Sequence, residues 1–331
     1  MPHYIGVMQE EIQEWLEGLG AEGEMELIGE LTQLIQHVAA HALLGEDFRR
    51  RFDQEFWDLY GDLGRGLDPI LPPNLPLPKF RRRERAKEKI RAMLMPLIHE
   101  RRKNPDGYQD FMQDLVTQRY KDGRMVEDEV ILGLIMGLLF AGHETTVGQA
   151  SWGIIQLLQN PHYLHEVQNE IAEHAPPGTE FSLELLKTLR YIEWAVRETE
   201  RMHPSTDILL RYVEEDIEVS DYRVPAGWIV LVSPAVSQRT PGLFSDPDCY
   251  DPLRFAPGRE EHRQHQFSLI TFGGGVHKCT GMNFAYHEMM MIIGLLFQQF
   301  DLELVTKDPH TRYGMGASRP EPTRVRYRRK D

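Results

Sequence analysis

Through the first two hundred residues apolar side chains return every three or four positions; beyond Pro204 they alternate or run together in short β-branched stretches. The first pattern predicts helices and the second a small sheet, so the chain reads as mainly α with a small β region. Pro2 suits the first turn of a helix over about His3 to Gly18, and a second helix is predicted over roughly Glu24 to Leu44. Pro69, Pro72, Pro73, Pro76 and Pro78 make Leu67 to Pro78 an irregular loop. One long helix is predicted over Asp128 to Leu158, interrupted at Ala141-Gly142 and ended by Asn160-Pro161. Val213 to Val219, Tyr222 to Val224 and Trp228 to Val232 read as strands, with a hairpin around Pro225-Ala226-Gly227. After an apolar helix from about Asn283 to Phe300, Leu302 to Val305 and Thr323 to Tyr327 are expected to pair across the glycine-bearing segment Arg312 to Pro320. No internal repeat or low-complexity tract is present.

Composition narrows the possible functions. With 331 residues, 41% of them hydrophobic, the chain can bury a sizeable core. A net charge of −14 disfavours nucleic acid as partner, because phosphate binding needs a basic face. Two cysteines in such a length argue against a disulfide scaffold and suit a reducing compartment, so a cytoplasmic location is expected. The longest apolar run, Val130 to Ala141, is too short to span a bilayer, and residues 1–20 lack a signal peptide's pattern. Lys79 to Lys103 is a basic exception; a solvated helix face is the favoured reading over a docking or membrane-surface patch.

Three short patterns carry chemistry. Phe272-Gly273-Gly274-Gly275-Val276-His277-Lys278-Cys279-Thr280-Gly281 sets one cysteine in a glycine-rich turn just before an apolar helix. Free N–H groups at that helix start stabilise a sulfur anion, which can hold an iron. A free cysteine is more commonly a small buried hydrophobe. A zinc site is disfavoured, since Cys249 and Cys279 are the only cysteines and no C-x-x-C spacing exists. Ala141-Gly142-His143-Glu144-Thr145-Thr146 places an acid beside a hydroxyl in an otherwise apolar helix, where a buried charge costs several kcal/mol unless paired or hydrated. Its plain alternative is a solvent-facing pair. Glu198 and Arg201 stand three apart on one helix face, a spacing common on helix surfaces.

Taken together, in this order, these patterns resemble the cytochrome P450 family over essentially the whole chain. The resemblance implies a haem-thiolate monooxygenase with haem b as cofactor and Cys279 as the axial iron ligand. Phe272, Gly275 and Gly281 match the family's haem loop, and His277 stands where that loop usually has arginine. Arg211 falls where the family places a haem-propionate partner, and His277 would be a second. Glu144 and Thr145 match the acid–alcohol pair that delivers protons. Glu198 and Arg201, completed by Arg254, match a buried structural lock. Phe80-Arg81-Arg82-Arg83, Phe140 to His143 and Val325 to Arg329 look like bacterial sterol 14α-demethylase-like members, although those carry a second histidine where this chain has Glu144.

The implied architecture is a single P450 domain over 1–331 lacking the family's N-terminal part: helical over 1–204, β-rich with a meander over 205–265, haem loop and helix over 266–300, and a C-terminal hairpin over 301–331. No Gly-x-Gly-x-x-Gly fingerprint is present, so electrons are expected from a separate ferredoxin- or flavodoxin-like protein docking near Lys278. The implied substrate is small and apolar, lipid- or sterol-like, and neither nucleic acid nor membrane is an expected partner. The alternatives are a truncated haem-binding protein without catalysis and, ranked last, peroxide-driven or isomerase-like chemistry.

Overall fold

The computed structural model describes all residues except 53, 69–70, 73, 314–316 and 331. Pro69 and Pro73 of the predicted loop and 314–316 of the glycine-bearing segment thus lie outside the described residues.

Helix α1 (Pro2–Gly18) begins on its proline, as predicted. The second helix starts later than its apolar pattern suggests, because Glu22–Glu26 forms strand β1 and only Leu27–Leu44 forms α2. Tertiary pairing overrides helix propensity here. β1 lies antiparallel to the last strand, β9 (Arg324–Arg329), with Glu24 opposite Arg326 and their side chains 2.8 Å apart. Glu26 then turns its carboxylate onto the backbone N–H groups of Ile28 and Gly29, capping α2. β6 (Phe300–Leu304) pairs with the other edge of β9, as expected of these terminal segments, with Leu302 opposite Tyr327, so this sheet ties the start of the chain to its end.

Helices α3 (Glu46–Arg51), α4 (Gln54–Arg65), α5 (Pro78–Lys103) and α6 (Phe111–Thr117) lead into α7 (Asp128–Gln159). α7 runs without a break through Ala141-Gly142. The hydroxyls of Thr145 and Thr146 donate to the carbonyls of Ala141 and Gly142, both at 2.7 Å, so these polar groups are satisfied inside a regular helix. From Thr146 to Leu157 every residue is buried, including Ile154, Ile155 and Leu157, each worth about 1.5–3 kcal/mol. The first half is amphipathic: Ile131, Ile135 and Leu139 face the core, while Val130 and Leu134 are more than 40% exposed. By length and composition alone α7 could cross a membrane, yet its second half is the centre of the protein core.

α8 (Pro161–His174), α9 (Leu183–Thr188) and α10 (Arg190–Met202) follow, and α11 (Pro234–Ser237) and α12 (Met282–Gln299) complete the helices. Between α10 and α11 the predicted hairpin is replaced by another pairing. β3 (Ile217–Val219) pairs with β4 (Tyr222–Val224) across Ser220-Asp221, while β5 (Ile229–Val232) returns to β2 (Leu209–Tyr212). The Asp216 carboxylate accepts from the Ala226 N–H at 2.8 Å and pairs with Arg223, so the Pro225–Gly227 turn redirects the chain instead of closing a hairpin. One core joins α1, α2, the second half of α7, α10 and α12; another joins α3–α6 to the first half of α7. The short strands β7 (Thr311–Arg312) and β8 (Arg319–Pro320) pair with each other, and the backbone before β8 rests on α7 at Gly148. Any Cβ at Gly148 would lie 2.6 Å from the Ser318 carbonyl oxygen.

Candidate functional site

Local backbone shape builds the cysteine loop. Gly273 and Gly275 have φ of +70° and +59°, in the left-handed region that other residues avoid. A Cβ on Gly273 would also come within 2.6 Å of the His277 carbonyl oxygen. The loop closes when the Cys279 N–H donates to the Phe272 carbonyl at 2.7 Å, two residues before Gly281 caps α12. No side chain caps that helix start. Behind the loop, the buried Gln238 amide accepts from the Ile270 and Thr271 N–H groups at 2.8 and 3.1 Å and donates to the Glu200 and Arg201 carbonyls. It fastens the loop to the end of α10.

Cys279 and Thr145 line the same cavity of about 140 Å³, together with Ala141, Ser205, Phe272 and Met289. The structure thus brings the cysteine and the threonine of the acid–alcohol motif to one cavity between α7 and the loop. Glu144, one position earlier, points elsewhere because successive helical residues differ by about 100° in direction. It lines a cavity of about 700 Å³ with Trp57, Tyr60, Phe140 and Arg319. There Arg319 donates to the Glu144 carboxylate at 3.2 Å, both side chains being about one-third exposed. Nothing in the sequence pointed to Arg319; it lies 175 positions away.

Glu198, Arg201 and Arg254 form a fully buried cluster. Arg201 forks onto both oxygens of Glu198 at 2.8 and 2.9 Å, and Arg254 reaches one of them at 3.0 Å. The Asp251 N–H adds a donor at 2.8 Å, while the guanidinium groups also serve the carbonyls of Gln238, Pro247, Ser245 and Cys249. Glu261, which the sequence did not single out, completes the network through Arg254 at 2.8 Å and Arg259 at 2.6 Å. Burial raises its pKa, but the Ser245 hydroxyl, Arg259, the Ser245 N–H and Arg254 outweigh that and hold it at about 2.

The remaining predicted residues stay apart. Arg211 lies half-buried on β2, donates only to its neighbour's Leu210 carbonyl, and has no carboxylate partner among the described residues. His277 is exposed on the short turn Gly275–His277. Phe272 packs against Tyr286 with ring centres 5.3 Å apart. On the outer face of the loop a cleft of about 680 Å³ gathers Lys187, Arg190, Arg197 and Lys278 around Glu200 and Tyr286. Burial raises Glu200 to about 7 against the opposing pull of the Tyr286 hydroxyl that it accepts from and of Arg197.

The donor chemistry fits a haem. A single thiol lines a cavity with small, apolar and hydroxyl-bearing side chains and Gln149, a cationic side chain on β2 has no anion among the described residues, and Ile208, Leu210, Leu231 and Val276 leave apolar surface exposed. A long helix crossing over a cysteine loop, with an acid–alcohol pair on that helix and a buried glutamate–arginine lock behind the loop, defines a haem-thiolate protein class. The sequence profile of the family described as Cytochrome P450 matches residues 8–325, and the chain belongs to that family of monooxygenases. It is 32% identical to the sterol 14alpha-demethylase of Mycolicibacterium vanbaalenii, covering all of this chain and 75% of that protein. It is 36% identical to the sterol 14-demethylase of Arabidopsis thaliana, covering 92% of this chain and 64% of that protein. Among solved structures, retinoic-acid-bound cyanobacterial CYP120A1 superposes with a TM-score of 0.89 at 26% identity, over 99% of this chain and 75% of that one. The fold is thus that of a cytochrome P450, mainly helical with small sheets, and this chain spans about three quarters of the M. vanbaalenii relative.

Proposed function

We propose that this chain, as one catalytic domain over 1–331 in the cytoplasm, is a haem b monooxygenase that inserts one oxygen atom from dioxygen into an apolar, sterol- or lipid-like substrate. The observation that carries the reading is the shared cavity of Cys279 and Thr145. The similarity to sterol 14-demethylases of two kingdoms supports the substrate class. Cys279 would hold the iron, Arg211 and His277 would hold the propionates, and Phe272, Gly275 and Gly281 would shape the loop around them. When bound, the haem supplies reductive activation of dioxygen, with thiolate donation favouring O–O cleavage.

The chain's own part is proton delivery and enclosure. Glu144 takes up protons from solvent in the larger cavity, and Thr145 presents its hydroxyl in the smaller one, so the pair carries a proton from one side of α7 to the other. Both start from bonds that must open: Thr145 to the Ala141 carbonyl and Glu144 to Arg319. Electrons come from a separate ferredoxin- or flavodoxin-like protein, for whose acidic surface Lys187, Arg190 and Lys278 are the complement.

The deciding experiment is the carbon monoxide difference spectrum of the dithionite-reduced chain. A strongly red-shifted Soret band that Cys279→Ala abolishes is the expected result; a normal thiolate band in Cys279→Ala would sink the assignment. Thr145→Ala should keep the band and divert reducing equivalents to peroxide, and unchanged coupling would remove Thr145 from the relay. A second reading, haem binding without catalysis, is favoured by the open face of α7, where Val130, Leu134, Ala141 and Gly142 are exposed. A red-shifted band with no substrate turnover would select it.

A further inference from the structure

Helix α10 turns two acids in different directions. Glu198 and Glu200 stand two positions apart, about 200° around the helix, so the buried lock takes one while the other faces α12. Glu200 is only 2% exposed, yet among the described residues it has no ion pair. Its carboxylate accepts from the Tyr286 hydroxyl instead. Arg197, one turn back, is committed to Glu193 at 3.0 Å and lies over the Tyr286 ring, 5.2 Å from its centre. Burying a carboxylate with no cation in contact costs several kcal/mol, so a side chain that served only to pack α10 against α12 would be apolar here.

Glu200 reaches the cysteine loop by two routes. Its backbone carbonyl accepts from the Thr271 hydroxyl and from the Gln238 amide, both at 3.3 Å. Its carboxylate reaches the loop through Tyr286, whose ring packs on Phe272 with centres 5.3 Å apart. The Phe272 carbonyl in turn accepts from the Cys279 N–H at 2.7 Å. Glu200 also lines the cleft of about 680 Å³ on the outer face of the loop, so protons from solvent have a way in. Around it in that cleft stand Arg190, Glu193 and Arg197 of α10 and Tyr286 and His287 of α12. Lys187, His262 and Lys278 join them from the neighbouring segments. Burial outweighs the Tyr286 hydroxyl, Arg197 and the Thr271 hydroxyl and raises the Glu200 carboxyl to about 7, so it changes charge near neutral pH.

We propose that Glu200 is a positioning residue for the iron site: through Tyr286 and Phe272 it braces the Cys279 loop, and it takes up a proton when iron held by Cys279 gains an electron. The electron comes from the donor protein, which is oxidised as the iron is reduced from ferric to ferrous. The proton comes from water in the cleft and forms the O–H bond of the Glu200 carboxyl. No other bond changes. The negative charge added at the iron disfavours a second one on Glu200, and linkage makes the effect reciprocal, so an ionised Glu200 makes the iron harder to reduce. Cys279 holding the haem iron, as proposed above, is the condition for this coupling.

The test is spectroelectrochemical titration of the haem-loaded chain at about pH 6, 7 and 8, with the carbon monoxide difference spectrum taken on the same samples. The midpoint potential should fall as pH rises, by at least about threefold in the reduction equilibrium, which is about 28 mV at roughly 59 mV per tenfold. Glu200→Gln keeps the shape of the side chain and cannot ionise, so the fall should vanish. Tyr286→Phe removes a donor that holds the carboxyl down, so the fall should move to higher pH. His262→Gln and His287→Gln should keep the fall, because burial and neighbouring cations hold both imidazoles below their ordinary range. A role in packing alone would lower the melting temperature of Glu200→Gln and leave the pH dependence as in the parent, which would overturn the proposal. Should that variant fail to fold, a Tyr286→Phe chain with an unmoved fall overturns it equally. A parent whose potential stays flat with pH while its red-shifted Soret band is present also overturns it and leaves the haem assignment standing. Absence of that band in the parent would overturn both.

Discussion

Two glutamates of this chain are each held by arginine, and the two arrangements have little else in common. Glu198 is wholly buried, shared by Arg201 and Arg254, and bonded as well to the Asp251 N–H. Glu144 is about one-third exposed and has one arginine contact, at 3.2 Å from Arg319. The first carboxylate cannot leave without stranding two buried guanidinium groups. The second can exchange its partner for water at almost no cost. A lock and a movable acid can thus be told apart by counting donors and exposure, although both are glutamate–arginine pairs.

The largest effect that would break this contrast is expected at Arg254. Arg254→Ala should cost about 3–5 kcal/mol in denaturant unfolding, because it leaves Glu198 and Glu261 buried with fewer partners. A loss below about 1 kcal/mol would mean that Arg201 alone suffices and that the cluster is no lock.

Acid titration sharpens the same point. Glu261 ionises at about 2 in the folded chain against an ordinary 4.5, so its stabilisation is complete above about 4.5 and is lost as pH falls towards 2. Thermal melts of Glu261→Gln should lack that part of the acid limb. Glu200 has the opposite sign: its folded value is about 7, so the unfolded chain ionises first and stability falls as pH rises from about 4.5 to 7. Glu200→Gln should flatten that fall, and a melt profile that keeps it would exclude Glu200 as its origin.

The smallest effect belongs to the exposed pair. Glu144→Gln and Arg319→Gln, with the double variant, should give a coupling of about 0.2–1 kcal/mol in unfolding. A coupling as large as that expected for Arg254 would make Glu144 a second lock and remove it from proton delivery.

How far these features could be read in the sequence depends on the range of the interaction behind them. Glu198 and Arg201 meet because three positions on a helix bring side chains to one face. The glycines around Cys279 announce a tight loop because φ at Gly273 and Gly275 is a property of single residues. The terminal strands were legible from their alternation, whereas β1 was hidden in a helical pattern because only β9 makes it a strand. For the same reason the sequence suggests a hairpin of β4 with β5 around Pro225–Gly227, whereas the partner of β5 is β2, about twenty residues upstream. Gln238 and Glu261 carried no signal, since their partners are backbone groups and arginines that the chain brings together only on folding.

The sequence by itself determined the helical class, the cysteine loop before α12, the acid beside the alcohol on α7 and the i, i+3 pair on α10, all of which arise within a few neighbouring residues. Only the tertiary structure decided that Thr145 shares a cavity with Cys279 while Glu144 opens on another, and that Arg319 closes over Glu144. The reason is physical. Local steric and helical geometry is written in adjacent residues, but the environment of a carboxylate is set by whatever the fold packs against it, here a backbone that approaches α7 where Gly148 leaves room.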